Sequence, residues 1–363
     1  MPSVITSINP LNTNLVYGAL YNMVISQECF GSPVKNTYSQ LVDRARIDVG
    51  LYGDQKWFYS TDVLGSYKFN VDTPDQLNVL ATHRPKAPEV QNIVIDQFFQ
   101  IAITLDEFQS KMAWGSEGAF SQFNSVMMGM IADTKRIIDS TTYNTFIGTN
   151  ETDIGEQQRT INLVDGQNKA LTIAVDLANL LTEIKDISRQ FNDYGFIRSY
   201  DESDLIVIFN AQYRNSLTKL DMPQVFHTQG LLNEFEKVNL PARYFGTIVG
   251  DNHTQMTIPK DGLKTYRTLV ERDIVRDGET IHLFGADKLE AGDVVYEDET
   301  YMEDKTIAYK VMHKRSVPYM SAFTTSTTFK NAKNLSTNFY TTFGRNTLEH
   351  LKNFPFITAR TNG

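Results

Sequence analysis

The stretch Phe120–Gly148, "FSQFNSVMMGMIADTKRIIDSTTYNTFIG", decides how the chain is read. Phe120, Phe123, Met127, Met130, Ile131, Ile138 and Phe146 recur at intervals of three, four, seven or eight residues. At 3.6 residues per turn those positions form one apolar stripe on a helix. Gly148 is the expected stop, because glycine reaches left-handed backbone angles cheaply. A helix starting near Ser116 spans roughly 32 residues, or about 48 Å at ~1.5 Å per residue. A Met-rich stripe of that length calls for a sheet or other helices to cover it.

On the N-terminal side, "QNIVIDQFFQIAITLDEF" (91–108) places Ile93, Ile95, Ile101, Ile103 and Leu105 at odd positions. A period of two predicts an extended strand or strand pair with one apolar face. Before it, "QKWFYS" (55–60) and "SYKFNV" (66–71) flank "TDVLG" and predict an aromatic hairpin. Trp57, Phe58 and Tyr59 are consecutive, so in a strand they point to alternating faces. A projecting hairpin cannot bury both faces on its own body, which makes these three candidate interface residues. Residues 1–40 lack a sustained period and contain Pro2, Pro10 and Pro33. Leu15, Tyr17 and Tyr21 make that stretch too apolar for a free linker, so it reads as an arm lying on another surface, and these three are candidate interface residues as well.

On the C-terminal side, "LTIAVDLANLLTEIKDISRQF" (171–191) carries a second stripe: Ile173, Leu177, Leu180, Leu181, Ile184, Ile187 and Phe191. "DLIVIF" (204–209) suits a buried strand and "NAQYRNSLTKL" (210–220) a short helix. "ARYFGTIVGD" (242–251) reads as strand and turn. Residues 260–300 read as short strands punctuated by "KDG", "RDG", "FGAD" and "EAGD". "TIAYKVMHKRSVPYMSAF" (306–323) and "NFYTTFG" (338–344) are extended, with "KNAKNLSTN" a polar loop between them.

Composition narrows the function. The chain has 363 residues, 34 Lys plus Arg against 43 Asp plus Glu, and a net charge of -9. That balance argues against sequence-independent nucleic-acid binding, which relies on clustered cations. The single cysteine, Cys29, allows no disulfide within the chain and no multi-cysteine zinc site, and reads as a small buried hydrophobe. "MPSVITSINPLNTNL" is not a signal peptide, and no run is long enough to span a membrane. The glycosylation patterns at Asn252 and Asn334 therefore carry no weight.

No linear motif carries chemistry. "GSEGAF" (115–120) lacks the spacing and the lysine of a phosphate loop, and no nucleophile elbow exists. His83, His227, His253, His282, His313 and His350 are dispersed, with no helical metal-site spacing. The acidic run "YEDETYMED" (296–304) is not an EF-hand loop and reads as a solvated loop. Trp57 and Trp114 read as core or interface aromatics rather than ligand-stacking platforms. No catalytic residue, cofactor site or metal site is assigned.

The order of elements resembles the major capsid protein of tailed bacteriophages, the α+β Hong Kong 97-type fold. "SDLIVIFNAQYRNSL" (203–217) looks like its axial-domain strand and helix. "YKVMHKRSVPYMSAFTTSTTFKNAKNLSTNFYTTFG" (309–344) resembles the closing strands in small short-tailed phages of the Picovirinae type. The resemblance implies an N-terminal arm over 1–46, an extended β-hairpin loop over 47–108, and an axial α/β domain over 170–305. It also implies a peripheral domain over 109–169 and 306–363, with a spine helix and return strands. It further implies assembly with copies of itself into hexamers and pentamers of an icosahedral, DNA-filled head. The implied partners are a scaffolding protein, a portal or connector, and double-stranded DNA held by weak non-specific contact. The subunit would be made in the host bacterial cytoplasm and reside in the virion, with no membrane contact. The family's covalent cross-link needs a lysine in the extended loop. Lys56 and Lys68 lie in that segment, but no partner for either is assigned, so the cross-link is not carried over. The competing readings are an encapsulin-type bacterial shell protein, another virion part such as a tail or connector protein, and a carboxylate-dependent glycoside hydrolase.

Overall fold

The computed structural model describes residues 38–48, 54–66, 84–106, 117–164, 169–217, 236–250 and 252–362. The fold is α+β. The described residues fall into two compact units. One contains Phe99–Ile137 and Thr324–Phe343. The other contains the described parts of Thr37–Phe98, with Ile138–Phe323 and Gly344–Asn362.

Among the described residues the α-helices are α1 (Gln40–Ala45), α2 (Glu117–Thr149), α3 (Lys169–Lys185) and α4 (Ala211–Leu217). The first strands are β1 (Arg46–Asp48), β2 (Gln55–Ser60), β3 (Glu89–Asp106), β4 (Gln158–Ile161), β5 (Leu205–Asn210), β6 (Glu236–Leu240), β7 (Gly246–Ile248), β8 (Gln255–Thr257) and β9 (Tyr266–Thr268). They are followed by β10 (Arg272–Arg276), β11 (Glu279–Leu283), β12 (Val294–Tyr296), β13 (Thr300–Glu303), β14 (Ile307–His313), β15 (Tyr319–Asn331), β16 (Ser336–Asn346) and β17 (Phe356–Thr361).

The quoted stretch is helical throughout. α2 is 33 residues long, and Ile131 and Ile138 are buried. Gly148 does not end it. The helix runs through Gly148 to Thr149, and a Cβ at Gly148 would overlap the backbone carbonyl of Tyr244. The glycine is required by a close approach of two backbones rather than by a left-handed turn.

The larger unit is built on a five-stranded sheet in the order β4-β17-β14-β5-β6. β5 is buried along its whole length, as its unbroken apolar run requires. Leu205, Val207 and Phe209 face one side, where Ile173, Leu177, Leu180, Leu181 and Ile184 of α3 pack. Ile206 and Ile208 face the other side, with Tyr143 and Ile147 at the end of α2 and Leu41, Val42 and Ala45 of α1. α1 therefore joins the chain's own core, although it falls inside the expected arm 1–46. Residues 1–37, including Leu15, Tyr17, Tyr21 and Cys29, lie outside the described residues. β14 and β17, expected to return beside the long helix, lie in this sheet, β14 beside β5 and β17 beside β14, so a domain boundary at 305/306 cuts through one layer.

The α3 stripe ends early. The carbonyl of Ile184 receives the Tyr200 N–H at 3.2 Å, while Ser188 N–H goes to Arg198 O at 3.0 Å, so the next helical turn has lost its bond. Ile187 is consequently 70% exposed, and Phe191 is buried from a turn rather than from the helix.

Residues 255–296 build a small β module around Ile258, Ile274, Leu283, Leu289 and Val295. Its β10–β11 hairpin turns at the predicted "RDG", where Asp277 (φ 51°) and Gly278 (φ 85°) both adopt positive φ.

A second five-stranded sheet has the order β1-β15-β16-β3-β2. The expected polar loop at 330–338 shrinks to four residues between β15 and β16. Lys333 N–H donates to Asn331 Oδ1 at 3.0 Å and Ser336 N–H to Asn334 Oδ1 at 3.2 Å, which tightens the turn.

Candidate assembly surface

β3 is one 18-residue strand whose odd positions turn inward, as the isoleucine spacing requires. β2 pairs antiparallel with its first third, Phe58 opposite Gln91 and Tyr59 opposite Val90. The strand partner of "QKWFYS" is thus 89–94. Beyond Ser66, the expected partner 66–71 lies outside the described residues.

The two faces of this ribbon differ. Phe58 turns inward and packs on the chain's own cluster of Ile93, Ile95, Met320, Ala322 and Leu351. Ser60 is buried on the same side. Trp57 and Tyr59 point outward, 54% and 67% exposed, with Val90 across the strand at 42%. The three aromatics therefore divide as one anchor and two outward side chains. Asn92, opposite Trp57, bonds Gln55 along the same outward face at 3.1 Å.

Polar contacts hold the ribbon in place. The Gln91 amide donates to His350 O at 3.0 Å and accepts from Lys352 N–H at 3.1 Å. Asp96 accepts from the backbone and hydroxyl of Thr347, both at 2.7 Å. Gly344 lies under the Phe98 ring, which a Cβ would meet at 2.8 Å.

The segment after β2 is clamped as well. Asp62 accepts from Ile197 N–H (2.9 Å), Arg189 Nη1 (2.7 Å) and Val63 N–H (2.9 Å). These contacts, the Ile197 N–H foremost, draw its carboxyl down to about 2. Arg198 Nη2 donates to Thr61 O at 2.6 Å. The clamp leaves Val63 and Leu64 55% and 76% exposed. Sequence reading missed Val63, Leu64 and Val90, whose only signal is apolar character at outward positions beside Trp57 and Tyr59.

The chemistry-bearing residues make other attachments. The acidic run 296–304 is not a solvated loop. Glu303 pairs with Arg267, Asp304 with Arg360, Glu299 with Arg272 and Asp298 with His253. These arginines arrive from 267, 272 and 360, so sequence distance hides them. His282 sits between Glu271 (2.8 Å) and Asp273 (2.6 Å), and His350 pairs with Asp193 at 2.7 Å. His313 stacks on Phe354, and its burial holds the imidazole down at about 4. Among the described residues no group of three or more His, Cys, Asp or Glu is arranged to hold a metal ion. Nor is any helix among them long and apolar enough to cross a membrane. His83, His227, Lys68 and Trp114 lie outside the described residues. Lys56 is exposed, 5.8 Å from the Phe58 ring.

No family model and no curated protein matches the sequence. Solved structures do match the fold. One is a chain of the capsid structure of Staphylococcus phage Andhra, with a TM-score of 0.57 at 8% identity, covering 91% of this chain and 84% of that one. Another is a chain of the structure of head fiber and inner core protein gp22 of native bacteriophage P68, with a TM-score of 0.60 at 8% identity, covering 88% and 83%. The α+β fold of this chain is the one found in these phage head structures, over nearly its whole length.

Proposed function

We propose that this chain is the major capsid protein of a tailed bacteriophage, a structural subunit that assembles with copies of itself into an icosahedral head around the DNA genome. The observation that carries the reading is the fold match to the Andhra capsid structure over 91% of the chain. The ribbon supports it, since Trp57, Tyr59 and Val90 form an outward apolar strip that a neighbouring subunit would cover.

In this reading α2 is the spine and 47–108 the extended loop. The arm is the part of 1–46 before α1, the axial domain is 170–305 together with β14 and β17 of its sheet, and the peripheral domain is 109–169 with the rest of 306–363. Hexamers and pentamers are the building units, and a scaffolding protein and a portal are the other partners. The site of action is the virion, after synthesis in the host bacterial cytoplasm. The net charge of -9 keeps contact with packaged DNA weak. The fold match to a chain of the P68 head fiber and inner core protein structure favours a second reading, another component of a phage head.

Electron microscopy of the chain co-expressed with its neighbouring genes tests both. Closed icosahedral particles of megadalton mass are expected. Rings, fibres or a strictly monomeric chain would overturn the capsid reading.

A further inference from the structure

Lys310 occupies the middle of β14, opposite Thr358 of β17 and Ile208 of β5. It is 1% exposed in a strand whose seven residues are all buried. An ammonium in such a place is costly unless acceptors meet it. Its Nζ donates to the backbone carbonyl of Asn150 at 2.7 Å and lies 5.6 Å from the centre of the Phe356 ring. Among the described residues no carboxylate lies within ion-pair distance of it.

Asn150 is the first residue past α2. Its N–H closes the last helical bond, to Phe146 O at 2.8 Å, and its own carbonyl belongs to the set that a helix leaves without an internal partner. The last turn of α2 carries no basic residue. The donor that meets this end is therefore supplied by the sheet, from the Lys310 amine. The next residue, Glu151, is gripped by Arg360 of β17 through Nη1 at 2.8 Å and Nη2 at 2.5 Å, and Arg360 Nε reaches Asp304 at 3.3 Å. Two successive residues at the helix end are thus tied to two neighbouring strands by two basic side chains. The ties differ in kind. Arg360 has carboxylate partners and keeps its charge throughout the accessible pH range, whereas a buried lysine gives up its proton readily.

We propose that Lys310 is a proton-operated latch between the long helix and the sheet: with the amine neutral the helix end stays seated, and uptake of a proton favours opening of this contact to water. Burial draws the amine down to about 7, with Glu151 and Asp304 opposing that shift and Arg360 reinforcing it. Among the described residues, the other charged or titratable groups at the contact are His350 and Asp193, which lies 2.7 Å from His350 Nε2. The His350 Nδ1 lies 3.4 Å from Asn150 Nδ2, and its ring is tilted 5.7 Å from Phe356.

The sign follows from proton linkage. A lysine exposed by opening binds a proton up to its ordinary value of 10.5, whereas the seated amine releases it above about 7. Closure therefore strengthens as pH rises through that window and is weakest below it. The inference concerns the subunit alone and does not depend on shell assembly.

Hydrogen exchange of amides 145–151 in the full chain, corrected for intrinsic rates, reads the opening directly. Between pH 8.5 and pH 6 the wild type should lose protection by on the order of tenfold or more. Lys310→Met should lose the pH dependence, since His350, Glu151, Asp304 and Arg360 all remain. Equal pH dependence in the two proteins, or a flat wild type, overturns the latch. If Lys310→Met fails to fold, Glu151→Gln serves in its place. Removing the carboxylate that favours the charged amine should move the midpoint to lower pH, and an unmoved or raised midpoint overturns the proposal.

Discussion

Gly148 of the long helix packs against the backbone carbonyl of Tyr244, with no room for a Cβ between them. Gly129, nineteen residues earlier in the same helix, meets no heavy atom of the described residues within 4 Å of its Cβ position, apart from its chain neighbours and its own helix backbone. The two glycines should respond oppositely to alanine. Gly148→Ala forces one backbone away from the other and should cost about 1–3 kcal/mol or more. Gly129→Ala removes an entropic penalty in a helix interior and should stabilise the isolated subunit by about 0.5–1 kcal/mol. Thermal melts of the two variants check this, and equal effects would place the Gly148 contact in error.

The three ribbon aromatics should separate in the same way. Phe58→Ala removes an anchor from the Ile93–Met320 cluster and should cost the free subunit about 1–3 kcal/mol. Trp57→Ala removes an exposed side chain and should stay within about 0.5 kcal/mol in the free subunit. In assembled particles Trp57→Ala should weaken the shell by about 2 kcal/mol, as an interface anchor does. Denaturant titrations of dissociated subunits and of shells distinguish the two contributions. Loss confined to the subunit for Trp57→Ala removes it from the interface.

Ile131 is buried on α2, so Ile131→Asp places a carboxylate at a buried apolar position. The cost is several kcal/mol, and insoluble expression is the expected outcome. A soluble variant with the wild-type melting temperature would show that this face of α2 is not core.

The Asp62 clamp has a defined acid limit. Its carboxyl titrates near 2 in the folded chain against an ordinary 3.8. A depressed carboxylate stabilises fully above its unfolded value, and that contribution fades as pH falls from about 4 toward 2. Asp62→Asn should therefore leave the segment Thr61–Ser66 loose already at pH 4, where the wild type still holds it. Pepsin nicking at Val63–Leu64 reads the difference: faster in the variant at pH 4, with the gap closing on further acidification. Indistinguishable nicking at pH 4 would mean that Asp62 does not hold the segment.

The elements with a strict apolar period were legible in the sequence. α2 and α3 followed from 3.6-residue stripes, β3 from its odd-numbered isoleucines, β5 from an unbroken apolar run, and the β10–β11 turn from "RDG". Each depends on neighbours in the chain, where backbone geometry alone sets which side chains share a face. Tertiary structure decided the rest, because the deciding partners are remote in sequence. Tyr200 takes the Ile184 carbonyl and stops α3; Tyr244 explains Gly148; Arg267, Arg272 and Arg360 neutralise the acidic run. The ribbon shows the division most plainly. Alternation in "KWFYS" required two faces, but only the cluster of Ile93, Met320 and Leu351 determined that Phe58 turns inward and that Trp57 and Tyr59 remain outside. A strand's period fixes which residues lie together; which face is buried depends on what the folded chain brings against it.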